Sequence, residues 1–298
     1  MAIHPAPPAQ ADELPSAVRA TRRTSRRLLG KLVLLAGAAV FLFPFYYMVV
    51  GSLQTEPDTT PGGAFPDPGN LTLRNYTEIN SAISLGRSLV NSGVFTGGVI
   101  LCTTIFGLLA GYALARLHFR GRGATFALLL LVQVVPFQLL MIPLYVLIVR
   151  DYGLADTYLG MILPFAINTT AVFIFRQFFL QLPQEMFDAA RIDGATELQI
   201  LYRIAVPLCK PALAAVILLS FTGPWNEFLW PFLVTKDEAM QPLAVSLANY
   251  ISTVAASTAN PFGVILAGAC VLAAPAVALY IAFQRRFTST DLDSAVKG

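Results

Sequence analysis

"DAARIDGATELQILYRIAVP", residues Asp188–Pro207, is polar and charged, yet it sits between two long apolar runs. Its spacing is helical on both sides of a glycine. Pro183 can open a helix, and Gln184 to Ile192 is a short helical pattern with Glu185 and Asp188 in its early turns, where acids suit a helix N-terminus. Asp193-Gly194 breaks the pattern, and Gly194 fits a left-handed cap. Thr196-Glu197-Leu198-Gln199 then reads as a capping box opening a second helix, Leu198 to Ala205, which Pro207 and Pro211 end. Met186, Phe187, Ala190, Ala195, Leu198 and Leu201 give the pair an apolar side. Such a pair is too polar to insert and too apolar to be a mere tether. It should lie on a membrane surface and present a face to something.

The flanking chain explains why a membrane is invoked. Of its 298 residues 56% are hydrophobic and only 12% charged, with mean hydropathy +0.65. Soluble domains are nearer half apolar and a quarter charged, so this is membrane composition, and the spans that follow make the expected fold class all-α and polytopic. Six segments have the roughly 20 residues that cross a bilayer core: 31–53, 89–114, 124–149, 158–178, 211–234 and 261–283. Pro44, Pro136, Pro143, Pro164, Gly223-Pro224 and Pro275 interrupt them. Breaks are tolerated where other helices or a water-filled cavity satisfy the freed backbone groups, which predicts a bundle with an internal pathway.

Basic residues set the predicted orientation. Arg19, Arg22, Arg23, Arg26, Arg27 and Lys31 precede the first span; Arg116, Arg120 and Arg122 join spans 2 and 3. Arg176, Arg191, Arg203 and Lys210 join spans 4 and 5, and Arg285, Arg286 and Lys297 follow the last. Only Arg74, Arg87, Arg150 and Lys236 lie on the other side. Sixteen against four predicts that both termini, and the polar stretch, face the cytoplasm. Residues 1–27, Pro/Ala-rich and polar at their start, read as a disordered cytoplasmic tail; residues 28–298 form the six-span domain, with 179–210 as its large cytoplasmic loop. The span 1–2 loop is then external, with turn chemistry in "TTPGGAFPDPGN" and a short interfacial element in "LTLRNYTEI".

Chemistry of its own is hard to find in this chain. Cys102, Cys209 and Cys270 are far apart, and with only His4 and His118 besides, no metal centre is predicted. Gly30-Lys31 lacks the earlier glycine and the following hydroxyl of a phosphate loop, so any ATP is bound elsewhere. Glu227 is the one acid placed within a span, a costly position that usually faces a cavity or partner. Trp225 and Trp230 beside it suit an aromatic belt, and Gly223-Pro224 should bend the helix there. Asn226 and Glu227 are candidates for the external end of a pathway, with a capping or inter-helix role for Glu227 as the competing reading. Gln133, Gln138, Asn168 and Thr169 are further polar groups within spans, either pathway contacts or helix–helix hydrogen bonds.

Asp188-Ala189-Ala190, three residues, Gly194, nine residues, then Ile204-x-Val206-Pro207 closely resembles E-A-A-x3-G-x9-I-x-L-P, the EAA loop of ABC importer permeases. Two positions depart from it, Asp188 for Glu and Val206 for Leu. "NYTEI", "NSGVF" at 91–95, "ARIDGAT", "WNEFLWPF" at 225–232 and the terminal "AVKG" look like the carbohydrate-uptake branch, and over residues 28–298 the chain is similar to the six-span subunit of maltose-type importers. The tail "FTSTDLDSAVKG" lacks that family's Gly-rich turn.

The resemblance implies a coupling loop that docks on an ATPase through Glu185, Asp188, Ala189, Ala190, Asp193, Gly194, Ile204 and Pro207 and moves spans 3 to 5. It also implies a second permease subunit, two ATPase subunits that bind ATP and Mg²⁺, and an extracellular or lipid-anchored solute-binding protein. Membrane lipid is the remaining partner, and nothing points to nucleic acid. The implied solute is a sugar or oligosaccharide, with a glycerophosphate as alternative. A secondary transporter using Glu227 as its ion site is the rival from another class.

Overall fold

The computed structural model describes residues 16–58, 60–258 and 260–295. Among them the chain is helical, with no strand and one isolated bridge between Gln54 and Leu71. The helices are α1 (Ser16–Ser52), α2 (Arg74–Ile83), α3 (Leu85–Arg116), α4 (Arg122–Val132), α5 (Phe137–Tyr145), α6 (Tyr158–Ile162) and α7 (Thr169–Gln181). There follow α8 (Gln184–Ile192), α9 (Glu197–Ile200), α10 (Val206–Leu208), α11 (Lys210–Asn226), α12 (Leu229–Val234), α13 (Leu243–Thr253) and α14 (Phe262–Ala295). Three stretches are long and apolar enough to cross a membrane unaided: Leu29–Ser52, Leu85–Arg116 and Phe262–Phe283. Three pairs qualify only together, each bent at a short break. Arg122–Val132 meets Phe137–Asp151 at 92°, Tyr158–Phe165 meets Thr169–Gln181 at 51°, and Glu197–Leu208 meets Lys210–Asn226 at 79°. Six spans result if each bent pair counts as one.

A proline inside a helix does not by itself make a bend, although Pro136 closes the first break. Helices α1, α11 and α14 run on through Pro44, Pro224 and Pro275. An interior proline deletes one N–H, whereas the sharp bends need the chain to leave helical dihedrals, as it does by Pro136 (ψ 132°) and Asn168 (ψ 116°). The Gly223-Pro224 bend expected from the sequence is therefore not where α11 ends. It ends at Asn226, and Glu227-Phe228 separate it from α12, so the segment expected over 211–234 is two helices. Ser16–Arg27, expected in the disordered tail, extend α1 instead, while residues 1–15 and 296–298, with most of "AVKG", lie outside the described residues.

Three buried clusters hold the bundle. At one end Leu108, Tyr112, Phe175, Phe179, Phe187, Ile200, Leu201 and Val216 join α3 and α7 to α8, α9 and α11. In the middle Phe95, Met141, Ile148, Met161 and Trp230 interlock, and at the far end Ile79, Leu247, Tyr250 and Val264 pack α2, α13 and α14. Helices α3 and α7 approach most closely through Gly107 and Gly111. A Cβ on Gly111 would lie 2.6 Å from Phe175 Cβ and 2.9 Å from the Arg176 backbone nitrogen. Small residues one turn apart let membrane helices touch backbone to backbone. Trp225 and Trp230, expected in an interfacial belt, are buried: Trp230 Nε1 donates to the Gly160 carbonyl at 3.1 Å and Trp225 Nε1 to that of Leu272 at 2.9 Å. Their indole N–H groups find helix carbonyls instead of headgroups.

Candidate functional site

The polar stretch folds as two helices on the α3–α7 end of the bundle. Helix α8 covers Gln184–Ile192, the span its pattern predicts. Gly194 turns the chain at φ +80°, and the Thr196–Gln199 capping box forms in both directions. Thr196 Oγ1 accepts from Gln199 N–H at 3.3 Å, and Gln199 Oε1 accepts from Thr196 N–H at 2.8 Å. The second helix does not stop at Pro207 as expected. It continues to Leu208, passing through a wider turn at Leu201–Ala205 in which Val206 N–H reaches the Leu201 carbonyl. That extra residue per turn absorbs the missing N–H and the bulk of Pro207.

The helix pair has two faces. Phe187, Ile200, Leu201 and Ala205 are buried, with Met186, Ala190, Ala195 and Ile204 packed beside them. Glu185, Asp188, Ala189, Ile192 and Asp193 are exposed, at the i, i+3, i+4, i+7 spacing of a single helix side and its end. Ile192 is 86% exposed, a large aliphatic group at the tip of α8. Leu198 is exposed as well, contrary to the apolar-side expectation. Pro207 is exposed and Gly194 has open space around it.

Charges bind the pair together. Arg191 Nη1 lies 2.8 Å from Asp188 Oδ1, and its Nε lies 2.8 Å from Glu197 Oε1. Gln184 Nε2 also donates to Asp188 Oδ1 at 2.9 Å. The Arg191 guanidinium holds the Glu197 carboxyl below the usual glutamate range; partial burial opposes this and the Tyr112 hydroxyl reinforces it. Glu197 in turn raises Arg191.

Sequence reading missed the groups that fasten this pair to the bundle. Arg116, 5% exposed at the end of α3, donates to the Leu182 carbonyl at 2.5 Å, to Gln184 Oε1 at 2.6 Å and to the Phe179 carbonyl. Its guanidinium also lies 4.2 Å over the Phe187 ring. One turn earlier on α3, the Tyr112 hydroxyl donates to Glu197 Oε2 at 2.7 Å. The acceptors on Phe179 and Leu182 are carbonyls at the C-terminus of α7, that of Phe179 shared with the Leu182 N–H, and a cation is favoured there.

The other candidate residues do not gather into one site. Gln133 Nε2 donates to Thr170 Oγ1 at 3.0 Å, and Asn168 Oδ1 accepts from Ala171 N–H at 3.1 Å, capping α7. Asn168, Thr170 and Ser220, with Ile174, Val216 and Leu219, line a cavity of about 220 Å³ between α7 and α11. Gln138, Asn226 and Glu227 are not among its lining residues; Gln138 is exposed, and Asn226 Nδ2 donates to its own helix at the Thr222 carbonyl. Glu227 sits at the α11–α12 break, where Oε1 accepts from Trp230 N–H at 3.2 Å. Among the described residues no group of three His, Cys, Asp or Glu side chains could hold a metal ion.

The model of the binding-protein-dependent transport system inner membrane component family matches residues 104–288. The arabinooligosaccharides transport system permease protein of Halalkalibacterium halodurans is 36% identical over 264 residues, 88% of this chain and 93% of that protein. The sn-glycerol-3-phosphate transport system permease protein of Rhizobium meliloti is 33% identical over 273 residues, 89% of this chain and 96% of that protein. Among solved structures, a chain of a bacterial ABC transporter involved in the import of the acidic polysaccharide alginate superposes with TM-score 0.75 at 25% identity, covering 93% of this chain and all of that one. With the helical bundle, its exposed helix pair and these matches in hand, the chain belongs to the binding-protein-dependent transport system inner membrane components, as a permease subunit of an ABC importer.

Proposed function

We propose that this permease takes up a sugar or oligosaccharide handed over by an extracellular binding protein, and that the Asp188–Pro207 helix pair docks on a cytoplasmic ATPase. A second permease subunit completes the pore, and two ATPase subunits supply ATP and Mg²⁺ binding and hydrolysis. Both chain termini face the cytoplasm. The observation that carries this reading is the exposed side of α8. Glu185, Asp188 and Asp193 make it acidic and Ile192 gives it an apolar tip, at an end of the molecule where Arg120, Arg122, Arg203 and Lys210 are otherwise basic. An acidic patch with one aliphatic knob suits a partner surface with a basic rim and an apolar pocket. Closure of the ATPase dimer on ATP pushes this pair, and the pore opens outward.

The Asn168–Thr170–Ser220 cavity offers hydroxyl and amide groups and no cation, which suits sugar hydroxyls better than a phosphate. A glycerophosphate stays as the second reading because of the transport system named for the Rhizobium meliloti relative. The test is ATP hydrolysis by the co-purified assembly with its binding protein, offered arabino-oligosaccharides, raffinose or sn-glycerol 3-phosphate in turn. Stimulation by a sugar alone is the expected result. Stimulation by the phosphate alone would move the solute assignment, and the lack of any associated ATPase would sink the proposal.

A further inference from the structure

We infer that α3 is the rod through which the helix pair moves the far side of the bundle, with Tyr112 and Arg116 as its positioning residues. The inference rests on the docking role proposed above. The three bent pairs contain joints of 92°, 51° and 79°, at which a push is absorbed as bending. The first two joints lie within spans 3 and 4 and the third between the docking loop and span 5, the spans to which the resemblance assigns the movement. Helix α3 is continuous over 32 residues, about 48 Å at 1.5 Å per residue. Nearly half of its apolar window is buried inside the bundle.

Both ends of α3 are tied to something that must move. At the inner end Arg116 grips the α7 carbonyls, Gln184 and the Phe187 ring, so it holds the start of α8. Tyr112 holds α9 through Glu197, and Glu197 reaches α8 through Arg191. Neither helix of the pair can shift without loading these two side chains. At the outer end Ser92 Oγ accepts from Leu243 N–H at 2.8 Å, and the Ser88 and Ser246 hydroxyls pair at 2.9 Å. Asn91 Nδ2 donates to the Ala239 and Gln241 carbonyls at 2.9 and 3.1 Å, and Arg87 Nε also reaches Ala239. These contacts bind α3 to the external segment 239–246, the entry to α13. The rod therefore joins the docking loop to the surface that meets an external partner.

The test compares wild type with Tyr112→Phe, Ser92→Ala and the double variant, each co-purified with its ATPase. Hydrolysis is read with and without the binding protein, in a mixture of arabino-oligosaccharides, raffinose and sn-glycerol 3-phosphate. Each single variant removes one hydrogen bond and is nearly isosteric. Each is expected to retain its associated ATPase and to lower the ratio of stimulated to basal hydrolysis about 3- to 10-fold. The two sites are about 30 Å apart along α3, a distance at which independent effects add. Through one rod they do not add, so the double variant is expected to match the worse single. A proportional fall in both rates, with the ratio kept, is what a purely structural role would give and overturns the inference. So does an unchanged ratio in either single variant, or losses that multiply in the double. A wild-type assembly that lacks an ATPase overturns the permease mechanism and this inference together.

Discussion

Arg191 and Glu197 meet at 2.8 Å across the Asp193-Gly194 turn, so the two helices of the loop are bound where they face each other. The pair is only part-buried, and screening leaves it worth about 0.5–1 kcal/mol. Because Arg191 lowers the Glu197 pKa, this stability is fully present above the ordinary glutamate range and is lost as pH falls through the lowered value. Amide exchange of Ile192–Gln199 is expected to be flat in protection from pH 8 to about 5 and to lose protection below about pH 4. The variant Glu197→Gln should show the low-pH protection at every pH.

Gly194 is the one residue of the turn that must be left-handed. No atom lies within 4 Å of a Cβ built there, so a Cβ would clash with nothing and the main cost is backbone strain. Gly194→Val is expected to destabilise the turn by about 1–2 kcal/mol, and Gly194→Asn by clearly less. Thermal unfolding of the purified assembly, with basal hydrolysis alongside, checks the order of the two variants.

Ile192 offers the cleanest separation of docking from folding. Its exposure means that Ile192→Asp should leave the permease's own unfolding within about 0.5 kcal/mol of wild type. On the docking role proposed above, the variant places an uncompensated charge in the contact with the ATPase, which should then dissociate on size-exclusion chromatography. A complex that survives intact would show that the tip of α8 is not in the interface.

Gly111 tests the α3–α7 contact. Gly111→Val places atoms against Phe175 Cβ and the Arg176 backbone, and the backbone cannot rotate away. Overpacking of this kind is expected to cost about 1–3 kcal/mol and to push α7 from α3. Gly86→Ala, on the same helix with open space around it, is the control and should be close to neutral.

Asn75 begins an N-x-T pattern, yet its amide is already committed. Nδ2 donates to the carbonyls of Ser52 and Gln54 at 2.9 and 2.7 Å, and the residue is buried. Asn75→Leu strips two buried carbonyls of their donor and is expected to cost about 1–3 kcal/mol, read as a lowered unfolding midpoint in detergent.

Local rules were enough for α8 and the turn that follows it, though not for the end of the second helix or for Leu198. The glycine cap, the capping box and the α8 boundaries are decided by residues within four positions of one another, and the structure places them where the pattern does. Long-range contacts were not legible in the same way. Arg116 looked like one more basic residue of a cytoplasmic loop, because nothing local shows that the α7 carbonyls lie beside it. The Gly107-x-x-x-Gly111 spacing was a readable sign of close helix contact that the hydropathy reading passed over. Trp225 and Trp230 were misplaced because a hydropathy window reports how apolar a helix is, but not which side of it faces protein. For Glu227 the sequence offers capping beside a pathway role, and the break after Asn226 is what lets its carboxylate accept from Trp230 N–H at the α12 start.

The break at Cys209 has a consequence for leverage. Glu197–Leu208 leaves α11 at 79°, so it stands out from the upright helix like a crank from its shaft. Its arm is about 18 Å long at 1.5 Å per residue, and turning it by about 10° at Cys209 carries Glu197 through about 3 Å. The elbow lets that stroke happen without twisting α11 itself. On the docking role proposed above, a small angular swing of the partner is thereby geared into a displacement that loads the Tyr112–Glu197 contact.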